Sequence, residues 1–264
     1  MNVGIIGYGS MGKMLADKFA YAGQRVFVST RSIEKLESAP ETVNRCGSNV
    51  ETAEASDIVF VCVRPSDIKD AVSEIDGVMR EDALLVSLNG SISFESIASW
   101  TCRKAAKVIP SVTAEIDRSQ TLVTFNDKVS DDDKAALKNL LSIIGNVIEL
   151  PENEMGMGSE LVSCMPGFIA SMFDVVCESA KKHTSIPEEQ IVDMVLNTMS
   201  ATGDLMLQKE MSFKDVVSRV ATKGGITEVG TRVVYDQFPD TMDELFGKTM
   251  EKRRQTAEAS KKEG

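Results

Sequence analysis

Gly7-Tyr8-Gly9-Ser10-Met11-Gly12 has the spacing G-x-G-x-x-G. Glycines at that spacing meet three steric demands: a tight turn, an anion approaching bare backbone, and a helix packed closely on the strand before it. The unpaired N–H groups that open the helix favour a phosphate. The pattern is weak alone. Here it follows an apolar run, Val3–Ile6, and opens an amphipathic one, Met11–Ala22, which is the strand–loop–helix setting of a dinucleotide site. The next apolar run ends in Ser29-Thr30-Arg31-Ser32. A free ribose 2′-hydroxyl is held here by Asp or Glu, and a 2′-phosphate by Arg. No acid is present, and Arg31 brings a planar fork of donors flanked by hydroxyls. The expected cofactor is NADP(H) rather than NAD(H). Val63-Arg64-Pro65 ends a further strand at the carboxyl edge of the sheet, where ligands of such sheets bind; position alone leaves Arg64 facing either solvent or cofactor.

Other reactive residues are few. His183 is the one histidine of 264 residues and follows Lys181-Lys182 at the end of a helix-like run, a place that favours cations. The five cysteines form no C-x-x-C pair, so reduced thiols are expected and neither a disulfide framework nor a metal site.

The elements that must carry these residues fall into two halves. Val3–Ile6, Arg25–Ser29, Ile58–Val63, Leu84–Leu88, Lys107–Ile109 and Thr121–Phe125 read as strands alternating with helices, which implies a parallel, doubly wound α/β sheet of Rossmann type. Asn146–Leu150 reads as its closing strand, and Pro151 ends it. Residues 1–150 are therefore expected to form the dinucleotide-binding domain. Residues 151–264 read as an all-helical substrate and dimerisation domain, with helices at Met155–Ser179, Pro187–Lys209, Phe213–Ala221, Glu228–Gln237 and Asp243–Glu258. Apolar residues around Pro166, among them Met165, Phe168, Met172 and Val176, cover more than one helical face. A small domain has little interior to bury them, so a homodimer or higher homo-oligomer is expected. The net charge is -11, which argues against nucleic acid or an anionic membrane as partner. No apolar run approaches a membrane span and Met1–Gly7 lacks the basic flank of a signal peptide, so a cytoplasmic protein is expected.

With these landmarks the chain resembles the pyrroline-5-carboxylate reductases over most of its length. The family's Gly-x-Gly-x-Met-Gly is matched by Gly7–Gly12, its Val-Lys-Pro by Val63-Arg64-Pro65, and its Ser-x-x-Ala-Gly by Ser87-Leu88-Asn89-Gly90. Its Met-Pro-Asn-Thr-Pro-Ala is matched by Ile109-Pro110-Ser111-Val112-Thr113-Ala114, and its Ser-Gly-Ser-Gly-Pro-Ala-Tyr by Val162–Phe168. Glu178 and Thr198 match a helical Glu and Thr. The family's Ser-Pro-Gly-Gly-Thr-Thr turn appears as Thr222-Lys223-Gly224-Gly225-Ile226-Thr227. The resemblance implies that Asn89 and Ser111 join the cofactor site. It also implies that Thr222, Gly224, Gly225 and Thr227 hold the carboxylate and ring nitrogen of the substrate, with Thr227 nearest the chemistry. Paired glycines before a helix start expose N–H groups in a nest that suits a carboxylate. Lys223 stands in place of a proline, Ser111 and Val112 in place of Asn and Thr, and Met165 in place of a glycine.

The implied reaction is NADPH-dependent reduction of a small cyclic imino acid, 1-pyrroline-5-carboxylate to proline. Such hydride transfer needs neither nucleophile nor metal, and the proton on the imine nitrogen can arrive with the substrate. The site is expected between the sheet edge and the helical half, completed by a partner subunit. Two alternatives stand beside it: a related NADP-dependent imine or β-hydroxyacid-type reductase with another small imino or keto acid, and a non-catalytic NADP-binding regulatory paralogue.

Overall fold

Ile58-Val59-Phe60-Val61 and Leu84-Leu85-Val86-Ser87 are buried at every position. Strands that bury both faces belong in the middle of a parallel sheet covered by helices on each side. A computed structural model describes residues 1–263 of the chain, with side chains through Glu258. In it these two strands, β4 and β5, are central in an eight-stranded sheet. The others are β1 (Asn2–Ile6), β2 (Arg25–Ser29), β3 (Val43–Arg45), β6 (Ala105–Ile109), β7 (Ser119–Phe125) and β8 (Gly145–Glu149), in the order β3-β2-β1-β4-β5-β6-β7-β8.

Two apolar cores cover the two faces. On one, Leu15 and Phe19 of α1 (Ser10–Tyr21) and Leu137 and Leu141 of α5 (Asp131–Leu141) pack against Ile5, Phe60 and Val86. On the other, Ile68, Val72 and Ile75 of α3 (Ile68–Asp76) and Ile97 of α4 (Phe94–Ala98) pack against Ile6, Val59 and Leu85. One further short helix, α2 (Asn49–Glu54), follows β3. The sheet is parallel except between β6 and β7, which are antiparallel. The expected parallel order fails there because only residues 110–118 connect the two strands, and they hold a short 3₁₀ turn instead of a crossover helix. The sequence reading also passed over β3, a three-residue edge strand with two exposed polar residues.

The chain divides into two compact units. The first comprises Met1–Pro166 and the segment from Met250 onward; the second is Gly167–Thr249. Residues after β8 stay with the sheet for a packing reason. Met155 of α6 (Met155–Ser159) clusters with Ile109 and Leu122, and a side chain on Gly158 would lie 2.8 Å from Leu122.

The second unit is helical throughout. It contains most of α7 (Met165–Ala180), then α8 (Glu188–Gln208), α9 (Phe213–Val220) and the start of α10, which runs Ile226–Glu263. Two helices were expected where α10 stands. Pro239 lies inside it and forfeits one backbone hydrogen bond, at about 3 kcal/mol, without ending it. The helical stretch Glu152–Ala180 is long and apolar enough to cross a membrane by length and composition, which the sequence reading did not anticipate.

Candidate active site

The phosphate loop lies between β1 and α1. Gly7 has φ +101°, a conformation that side chains disfavour, and its N–H donates to the Ser29 carbonyl at 2.9 Å. A Cβ on Gly12 would stand 2.0 Å from the Gly7 carbonyl oxygen, so strand and helix can approach this closely only with glycine. Nothing lies within 4 Å of a Cβ built on Gly9, the N-cap of α1, and no side chain caps that helix or places an acid in its first turn. The open cradle and the uncapped helix start fit a pyrophosphate.

Beside the loop, a cavity of about 360 Å³ is lined by Met11, Cys62, Val63, Pro65, Leu88, Asn89, Gly90, Ile109, Pro110 and Ser163. Apart from Met11 of α1 and Ser163, these residues lie at or just after the carboxyl ends of β4, β5 and β6. A dinucleotide laid over the sheet edge with its 2′-phosphate at β2 would place its nicotinamide here. Asn89 shapes this wall by accepting from the Ser91 N–H at 2.9 Å and the Ser91 hydroxyl at 2.6 Å. Burial pushes the Cys62 thiol up to about 12, so it stays neutral.

At the β2 end, Arg31 is 74% exposed and its Nη2 pairs with Asp67 Oδ2 at 2.6 Å. Arg64, also exposed, approaches the same oxygen at 3.7 Å. Both arginines thus face the edge where a 2′-phosphate belongs, sharing one carboxylate. Asn49 escaped the sequence reading. Its Oδ1 accepts from the Ser29 hydroxyl at 2.8 Å, which sets it beside the Ser29–Ser32 loop. The signal was Ser48-x-x-Glu51: the Ser48 hydroxyl accepts from the Glu51 N–H, and Glu51 reaches back to the Gly47 N–H, marking a helix start at this edge.

Two expected cofactor residues turn inward. Tyr8 is buried, and its hydroxyl donates to Asp17 at 2.8 Å; burial and that carboxylate raise its pKa. Only its backbone belongs to the loop. Ser111 is 2% exposed, its hydroxyl caps the 3₁₀ turn at the Thr113 N–H, and Ile109 and Pro110 line the cavity instead. The sequence showed a hydroxyl at a strand end but not which way it pointed.

The turn at 222–227 lies in the second unit and opens α10 at Ile226. Gly224 has φ +76°, and a Cβ on Gly225 would meet Thr222 Oγ1 at 2.7 Å, so both glycines are sterically required. Their N–H groups are engaged within the turn, however. Gly224 donates to Glu228 Oε2 at 2.6 Å and Gly225 to the Thr222 carbonyl at 2.8 Å. The expected nest of glycine N–H groups is therefore filled, and the exposed Thr227 hydroxyl and the first-turn N–H groups of α10 are left to meet an anion.

Also within the second unit, a groove of about 940 Å³ is lined by Ile169, Phe173, Val176, Met194, Met199, Phe213 and Val234 among others. Met165, Phe168 and Met172 are only half-buried and Val176 is exposed, so this chain alone leaves the apolar helix uncovered.

Known proteins match this arrangement along its length. Residues 2–90 match the family described as NADP oxidoreductase coenzyme F420-dependent, and residues 152–256 match pyrroline-5-carboxylate reductase dimerisation. Pyrroline-5-carboxylate reductase 3 of Bacillus subtilis is 30% identical over 95% of this chain and 94% of its own. ComE operon protein 4 of the same organism is 24% identical over 100% and 99%. The structure of Plasmodium falciparum pyrroline carboxylate reductase with NADP bound superposes with a TM-score of 0.83 at 20% identity, covering 98% of each chain.

Proposed function

Because the chain belongs to the pyrroline-5-carboxylate reductase family, we propose that it reduces 1-pyrroline-5-carboxylate to proline with NADPH. The observation that carries this reading is the match to a named reductase along the whole chain, in a molecule whose phosphate loop keeps every steric feature that a dinucleotide requires.

The first unit holds the cofactor. Gly9 and the start of α1 receive the pyrophosphate, Arg31 and Arg64 the 2′-phosphate, and the apolar cavity from Met11 to Pro110 the nicotinamide, which supplies the hydride. The walls of that cavity are mostly apolar, which suits the face of the ring. The turn at 222–227 orients the substrate: the α10 helix start attracts its carboxylate, and the Thr227 hydroxyl accepts from the protonated ring nitrogen. A protonated imine would bring its own proton on nitrogen, so no side chain has to act as an acid. His183 lies exposed beyond α7 and plays no part. The groove and the uncovered face of α7 suit a second copy of the chain, and a dimer is the smallest closed assembly. The acidic charge and five free cysteines support a cytoplasmic place.

Purified protein given NADPH and 1-pyrroline-5-carboxylate should consume NADPH at 340 nm. No turnover with this imine, and turnover with another imino or keto acid, would move the substrate assignment. The chain is also similar along its full length to ComE operon protein 4, and one second reading stands beside the first: a protein that binds NADPH without turnover. NADPH binding with no turnover across an imino- and keto-acid panel would select it. Light scattering at micromolar concentration should give twice the chain mass; a monomer would remove the proposed role of α7.

A further inference from the structure

Glu160 is 1% exposed, and one of its carboxylate oxygens, Oε2, is buried without a hydrogen-bond partner. The other, Oε1, accepts from Arg253 Nε at 3.2 Å and Nη2 at 2.8 Å. Arg253 Nη2 also donates to the Ser159 hydroxyl at 3.1 Å. Both residues belong to the first unit, although 93 positions separate them. Glu160 begins one π-helical turn, Glu160–Cys164, inside the stretch from α6 to α7. Pro166 gives that turn a cause: it has no N–H and crowds the carbonyl four residues before it, and a widened turn relieves both. Ser163, in this turn, is part of the cavity wall at the nicotinamide end. Gly90 lines the same cavity, and the position of a Gly90 side chain would lie 3.9 Å from Arg253 Nη1. One guanidinium therefore stands behind both the π turn and Gly90.

We propose that Arg253 and Glu160 are positioning residues, a strut that fixes Ser163 against the Asn89–Gly90 turn and so sets the width of the nicotinamide pocket. The inference rests on the reading of this cavity as the cofactor site. Arg253 supplies the compensation for a carboxylate otherwise shut away from water, so losing its fork forces the π turn to shift. A lysine at 253 keeps the charge but cannot donate to Glu160 and Ser159 from a planar fork while reaching Gly90.

The test is Arg253→Lys in the full chain, read first by the emission of bound NADPH, which reports the surroundings of the reduced nicotinamide. Folding is checked by circular dichroism and affinity by titration. NADPH affinity should stay within about twofold, because the loop and Arg31 carry it. The bound emission should change, and kcat should fall about tenfold through misplacement of the ring. Ser163→Ala should perturb the same emission, and the double variant should be non-additive, as expected for residues acting through one device. A folded Arg253→Lys with wild-type emission, or strictly additive effects, overturns the proposal. If Arg253→Lys does not fold, Glu160→Gln, which keeps the side-chain shape, takes its place with the same two outcomes. Wild-type protein that binds NADPH but turns over no imine would overturn the proposed function while leaving the emission test of the strut intact.

Discussion

The phosphate loop and the turn at 222–227 are both glycine turns that open a helix, yet they are built differently. In the loop the glycines act on each other: Gly12 leaves no room for a Cβ beside the Gly7 carbonyl, and the helix start is uncapped. In the turn the glycine N–H groups are already engaged, one by Glu228, and Ile226 beside them is almost fully exposed. An anion site with uncapped N–H groups in a packed frame can be recognised from spacing. One with a donor held by its own side chain, as Gly224 is by Glu228, is harder to recognise, because that bond depends on which rotamer Glu228 adopts.

The largest effect that would sharpen this contrast is Gly12→Val. Its side chain collides with backbone, not with a movable side chain, so overpacking should cost about 3 kcal/mol. NADPH binding should be lost in a fluorescence titration, and the melting temperature should fall by roughly 10 °C. Normal binding would break the claim that this loop is sterically fixed.

Thr227→Ala comes next. Removing one hydrogen bond to a charged partner costs about 1.5–3 kcal/mol, so kcat/KM for the imine should fall about ten- to a hundredfold. NADPH affinity should not change. Unaltered kinetics would mean that the turn at 222–227 is only a helix start. Arg31→Ala should weaken NADPH about tenfold, at the low end for a charged hydrogen bond because the arginine is exposed and shares Asp67. NADH binding, measured the same way, should stay as it is; equal loss of both would remove the 2′-phosphate assignment.

The smallest effect concerns pH. Burial pushes the Cys62 thiol up to about 12, from 9.0 for a free thiol. Folded protein therefore holds a proton that unfolded chain has released between those values, so this group lowers stability as pH rises through that window. At pH 8, iodoacetamide should label exposed Cys102 while Cys62 stays unmodified in a peptide map. Rapid labelling of Cys62 would show that the cavity wall is open.

How much was legible in advance follows the same division. The spacing of Gly7–Gly12 and the absence of acid beside Arg31 pointed to NADP(H), because they act through local backbone and charge. The buried runs of β4 and β5 announced a covered parallel sheet. The side-chain directions of Tyr8, Ser111 and Asn49 were not legible, because pattern reports residue type but not where a side chain points: two hydroxyls turned inward to Asp17 and Thr113, and an amide turned to Ser29.

Sequence by itself determined the strand–loop–helix at Gly7–Gly12, the positions of most strands along the chain and the apolar surplus around Pro166, all properties of neighbours within a few residues. Tertiary structure alone decided that β7 runs antiparallel to β6, that the first unit extends to Pro166 and resumes at Met250, and that Arg253 meets Glu160. Each of these joins groups far apart along the chain. Their pairing is set by which surfaces can exclude water together and which buried charge needs a partner, and no local spacing encodes that.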